Sequence, residues 1–219
     1  MTTEKQEIMR KSIYLKTLPE KVLLYADEGV VLLPGGQISL IFATRKEKNF
    51  IESVIATDRL IGVTQALTVK EETIFFSTGC LGRVISFSEI ENGYFVVIQG
   101  ICRFDLEISL TKTKIMKAVP VNYTRYKQDL LKRLQDKFID RERLITVLKK
   151  YLNVHEITAD WQEITETPND KLVTALAMSG PFSPLEKQAL LESVSLPEQC
   201  CIITTLMEMA LMERTQTYQ

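Results

Sequence analysis

The chain has 219 residues, 45% of them hydrophobic and 25% charged, proportions of a folded soluble protein that exclude wholesale disorder. Its 27 Lys and Arg stand against 28 Asp and Glu, so no global field draws it to nucleic acid or to an anionic membrane. No run approaches the roughly 20 apolar residues of a membrane span and the start lacks a secretory core, so a cytoplasmic location is expected.

In chain order, Val22 to Tyr25 and Gly29 to Leu33 are branched and apolar and predict strands. Pro34, Gly35 and Gly36 make a tight turn before Gln37 to Phe42 resumes the extended pattern. From Arg45 to Thr57 the period changes, because Phe50, Ile51, Val54 and Ile55 fall on one helical stripe. A buried strand is expected over Leu60 to Thr64. Gly79 and Gly82 match no nucleotide-binding fingerprint and suit a bulge or a corner in a barrel strand. Arg83 to Ile90 and Tyr94 to Ile101 flank Asn92 and Gly93, a pair that suits a hairpin turn with positive φ at both central residues. Further strands are expected over Phe104 to Leu110 and Ile115 to Asn122. Many short strands with one helix predict a closed or partly closed barrel rather than a parallel sheet.

The second half carries a helical signal. Leu131, Leu134, Phe138, Ile145, Leu148 and Leu152 recur at helical steps across a polar gap at Arg141, which predicts one long helix. Three later helix starts are expected at Thr167, Ser183 and Ser195, each a hydroxyl with a carboxylate three residues on. Trp161, the sole tryptophan, is expected in the core on a short turn opened by Asp160. The fold class is therefore α+β, with a β-rich part over residues 1–122 and a helical part over 123–219.

The chemistry is mostly negative. No Gly is followed by Lys, so the phosphate loop of an ATPase is missing, and G-x-S-x-G and H-E-x-x-H are missing too. Cys80, Cys102, Cys200 and Cys201 form no C-x-x-C pair; buried thiols are expected, with no metal and no cofactor. His155, the only histidine, reads as polar surface rather than as the base of a triad. Basic residues gather from Lys112 to Lys117 and from Arg125 to Lys137, yet Asp129, Asp136 and Asp140 dilute the second group, which reads as a solvated face.

Several segments resemble the Lon protease amino-terminal domain family, in order from about residue 22 to residue 211. The nearest are VVLLPGGQ from Val30 to Gln37, DRLIG from Asp58, GCLGRVISF from Gly79, GICRF from Gly100, LVTALAM from Leu172 and PFSPLEKQALLE from Pro181. The form resembled is the short bacterial one in which this domain is the whole protein. The resemblance implies a PUA-like pseudobarrel beside a bundle of helices, with a role in recognising substrates. Proteolysis itself would fall to a partner such as a protease or ATPase subunit. The sequence departs from the family after Phe42, where Ala43, Thr44, Arg45 and Lys46 stand in place of E-P-R-Y.

The expected function is thus a non-catalytic module for unfolded polypeptides or a protein partner. A barrel edge can accept an extended chain through main-chain pairing. Leu33, Pro34, Gly35, Gly36 and Arg45 are the candidate partner-binding residues, a rigid turn beside a helix start. The alternative is RNA binding, which PUA-like barrels also perform and which the near-neutral charge disfavours.

Overall fold

The structure is a computed structural model that describes residues 18–70, 72–108, 116–130 and 139–217. Six strands make one mixed sheet: β1 (Lys21–Glu28), β2 (Gln37–Phe42), β3 (Leu60–Val69), β4 (Glu72–Ile90), β5 (Gly93–Leu106) and β6 (Lys117–Asn122). Their order is β2-β5-β4-β3-β1-β6, and β6 also pairs with β5, which closes the ring and leaves β2 as an added strand on the other end of β5. Every pairing is antiparallel except β1 with β3. The expected barrel is present.

Helix α1 (Arg45–Ile55) packs Phe50, Ile51 and Val54 against Tyr25, Phe42 and Ile98 of the sheet. Its start is fixed by a capping box in which Thr44 Oγ1 accepts from Glu47 N–H and the Glu47 carboxylate accepts from Thr44 N–H. A turn of 3-10 helix, Thr124–Leu130, leads out of the barrel. The helical part comprises α2 (Arg141–Val154), α3 (Trp161–Glu166), α4 (Asn169–Ser179), α5 (Pro184–Glu192) and α6 (Leu196–Thr217). Its core joins Leu144, Leu148, Val173, Leu190 and Ile203, together with Val31 and Leu33 from the barrel side of the chain.

Several expectations need correction. Gly29 to Leu33 is not a strand: Gly29 turns the chain at φ +70°, and Val31 and Leu33 point into the helical core while Leu32 joins the barrel core. Alternation serves two cores here instead of a sheet. Tyr94 to Ile101 and the expected strand from Phe104 merge into one strand, β5, which ends at Leu106, with residues 109 and 110 outside the described residues; β4 begins at Glu72, eleven residues before the expected Arg83. A register shift between Leu81 and Gly82 supplies the bulge that the glycines suggested. The hairpin joins Ile90 directly opposite Gly93, so Glu91 and Asn92 are its central residues, and neither Asn92 nor Gly93 has left-handed φ. Gly93 is needed for a different reason, since a Cβ there would collide with the Phe42 carbonyl.

The expected long helix does not run through Asp140. Asp140 has non-helical φ −78° and ψ 79° and caps Arg143 N–H, so α2 starts at Arg141; Leu131, Leu134 and Phe138 lie outside the described residues. Arg141 is no mere gap, because its guanidinium donates to the carbonyls of Ile164, Thr165 and Thr167 at the end of α3. Ser183 and Ser195 cap as expected, accepting from Glu186 N–H and Glu198 N–H. Thr167 does not cap α4; its hydroxyl bonds back to the Glu163 carbonyl and Pro168 takes the cap position with no side-chain bond. Trp161 is half-buried on α3, packed on the helical core with the Lys149 ammonium 5.3 Å from its ring centre.

Candidate functional site

Where the two parts meet, polar contacts join the apolar packing of Val31 and Leu33. Arg103 on β5 is 2% exposed and forks onto Asp129 of the 3-10 turn, with Nη2 to Oδ1 at 2.7 Å and Nε to Oδ2 at 2.8 Å. The same guanidinium donates to the Leu191 and Ser193 carbonyls at the C-terminal end of α5 and lies 4.5 Å from the Tyr126 ring centre. Burial alone would lower its pKa, but the Asp129 bonds outweigh it and the net direction is upward. Gln65 adds a second tie, donating to the Pro184 carbonyl at 2.7 Å. The Arg103 and Asp129 charges are buried and satisfied by the chain itself, which makes this junction a staple rather than a receptor, although Gln65 Oε1 and Tyr126 OH find no hydrogen-bond partner among the described residues.

The expected partner-binding turn lies beside that junction. Leu33 and Pro34 are buried, so their side chains serve the core, whereas Gly35 is exposed at φ +82°. Gly35 N–H donates to the Gly100 carbonyl at 3.0 Å and Gly100 N–H donates to the Gly36 carbonyl at 2.9 Å, which ties the turn to β5. A Cβ on Gly36 would meet Met178 of α4. Arg45 is exposed in the first turn of α1, at the opposite end of β2 from the glycines. Main-chain bonds and close packing thus account for the glycines, and Gly35 and Arg45 are the exposed members of the set.

Sequence reasoning overlooked a larger surface. Pairing of β3 with β4 runs from Val69 opposite Glu72 to Leu60 opposite Arg83, and Val84 N–H then donates to the Arg59 carbonyl at 2.9 Å. Beyond that point β4 has β5 on one side and no strand on the other among the described residues. With β2 and the first half of β5, it forms a three-stranded wing of the sheet, one face of which packs on α1. Ile85 is 44% exposed, Phe87 41% and Ile90 38% on β4, and Ile41 on β2 is 59% exposed. The Phe87 and Tyr94 rings lie 4.7 Å apart, and Tyr94 donates to Glu52 of α1 at 2.7 Å, a bond that pushes the phenol pKa up. The available signal was length: β4 has 19 residues and β3 has 10, so part of β4 must go unpaired.

Other sequence candidates fall elsewhere. His155 ends α2 and stacks on Tyr151 at 4.2 Å, with no hydrogen bond to its ring from a Ser, Cys or carboxylate among the described residues. Arg125 is engaged internally, lying over Tyr126 and 3.8 Å from Asp105, while residues 112–115 and 131–137 of the basic runs lie outside the described residues. Cys80, Cys102 and Cys200 are buried as expected, and Cys201 is exposed, against expectation, because it falls on the outer side of α6. A hollow of about 560 Å³ beside β6 is lined by Lys21, Glu107, Asn122, Tyr123 and Lys127, with charges of both signs. Among the described residues there is no group of three His, Cys, Asp or Glu able to hold a metal, and no helix long and apolar enough to cross a membrane.

Residues 21–209 match the family model for the ATP-dependent protease La (LON) substrate-binding domain. No curated protein matches the chain. Among solved structures it is similar to the N-terminal domain of Mycobacterium avium complex Lon protease, with TM-score 0.62 and 15% identity over 86% of this chain and 98% of that one. It is also similar to a Lon N-terminal domain protein from Xanthomonas campestris, with TM-score 0.56 and 19% identity over 82% of this chain and 94% of that one. At those identities the structural likeness speaks for the fold.

Proposed function

The chain belongs to the Lon protease substrate-binding domain family, and from that membership we propose that it is a non-catalytic, cytoplasmic module that binds unfolded polypeptides. The supporting observation is the wing, where Ile85, Phe87 and Ile90 hold apolar surface in water on the β4 margin that no described strand pairs, and Ile41 does so on β2 across β5. Such surface gains about 25 cal/mol for each Å² it buries, and an extended chain can cover it without matching a particular sequence. The turn of Leu33, Pro34, Gly35 and Gly36 and the exposed Arg45, at opposite ends of β2, are two further candidate contacts on the same barrel. A protease or ATPase subunit is the partner class that would act on what this module holds.

The test compares a permanently unfolded, carboxymethylated chain with its folded parent in a fluorescence anisotropy titration. Selective binding of the unfolded form that persists or strengthens as salt is raised supports the reading, since apolar capture is favoured by salting-out ions. Binding of RNA in place of polypeptide, with affinity falling steeply in salt, would replace it. Peptidase activity of the purified chain with no partner added would overturn the non-catalytic part.

A further inference from the structure

We infer that the free margin of β4, from Ile85 to Ile90, receives an extended polypeptide as an additional antiparallel strand, apolar at alternate positions and cationic toward its N-terminal end. The inference rests on the polypeptide-binding reading above and gives it a place and a mode. It begins from backbone accounting. Val84 turns its N–H away from β5 to Arg59, and opposite Ile98 it forms a pair that does not bond to β5. After the bulge at Ile85, Ser86, Ser88 and Ile90 stand opposite Val97, Phe95 and Gly93. Strand alternation then directs the N–H and C=O of Phe87 and Glu89 away from β5, toward the side where no strand lies among the described residues. Those groups ask for main-chain partners, and a strand laid there supplies them.

Side chains decide which strand fits. Phe87 lies opposite Val96, and Glu89 opposite Tyr94, so both share the face that α1 underlies. An added strand lays alternate side chains beside Phe87 on that face, where apolar groups complete the cover that the protein leaves open. Charge sets the direction. Glu89, Glu91 and Glu52 gather at the hairpin end, while Arg59 and Arg83 stand at the other end of the margin. An antiparallel strand enters at the hairpin end with its N-terminal residues, so cations there face carboxylates and acids further on face the arginines. Beta-strand margins without a protective Pro or Lys pair readily with other chains, and Ile85 to Ile90 contains neither.

The test uses the full chain and a fluorescent peptide of Val-Thr repeats preceded by two lysines, read by anisotropy. Two further versions of the peptide carry N-methyl groups on alternate amides, one on the odd and one on the even residues. The expected result is that one methylated version loses at least tenfold in affinity while the other stays within about threefold, because only one set of amides faces the protein. Glu89→Pro removes an outward N–H without disturbing the ladder to β5 and should lose at least tenfold, whereas Glu89→Gln should lose about threefold and flatten the salt dependence. Equal binding of both methylated peptides, or unchanged binding by Glu89→Pro with a native circular dichroism spectrum, overturns the strand-addition mode and leaves polypeptide binding standing. Absence of binding by the peptide and by the unfolded carboxymethylated chain overturns both.

Discussion

Arg103 and Asp129 show how much one buried pair can decide. With side chains 2% and 1% exposed, neither has water to fall back on, and the guanidinium also satisfies carbonyls from the helical part. Asp129→Ala leaves that charge uncompensated and should cost about 3–5 kcal/mol in a urea melt. Nothing in the sequence marked Arg103, which sits inside GICRF as one more polar residue of a strand. Its role arises only when a turn 26 residues later folds back. Burial of the cysteines is expected because free thiols are mostly buried, and it holds for Cys80, Cys102 and Cys200 but not for Cys201. Burial, before any charge effect, pushes Cys102 from an ordinary value of 9.0 up to about 12 and moves Cys80 in the same direction. Between those values the native state keeps a proton that the unfolded chain releases, so stability is full below pH 9 and falls as pH rises toward 12. Urea melts across pH 7 to 11 should follow that course, with a slope up to about 1.4 kcal/mol per pH unit for each such thiol. A thiol-reactive dye should label Cys201 rapidly in the native protein and the other three only on unfolding.

Helix starts were easier to read than strands. Ser183 with Glu186 forms a complete capping box, and Ser183→Ala should lower stability by about 1 kcal/mol. Thr167 has the same letters around it but spends its hydroxyl on Glu163, so Thr167→Ala should change the melt by less than about 0.5 kcal/mol. The difference lies in the preceding helix, α3, whose last turn claims the hydroxyl before α4 begins. Strands suffered from a similar ambiguity. Alternation in Gly29 to Leu33 serves two cores rather than two faces of a sheet, and periodicity alone does not separate those cases. The unpaired end of β4 was hidden because Thr73 to Gly82 was not read as strand, which concealed the excess of β4 over β3.

The two parts of the chain share more than a linker. Val31 and Leu33 lie within the helical core, and Arg103 and Gln65 reach the carbonyls around α5. A fragment starting at residue 123 therefore exposes apolar surface that the whole chain covers, and it should bind a hydrophobic dye and give poorly dispersed amide resonances. The intact protein should melt in one transition seen alike by circular dichroism and near-ultraviolet signals. The broad α+β order was readable because caps, glycines and periodicity are local, whereas the interlock depends on residues far apart in sequence. Trp161 gives this architecture a built-in reporter. As the sole indole, held on α3 under Lys149 and remote in sequence from the β4 margin, it emits from the helical part alone. Its emission maximum would stay still while a strand docks on the wing and shift to the red when the helices open, so docking and opening can be timed separately in a single cuvette.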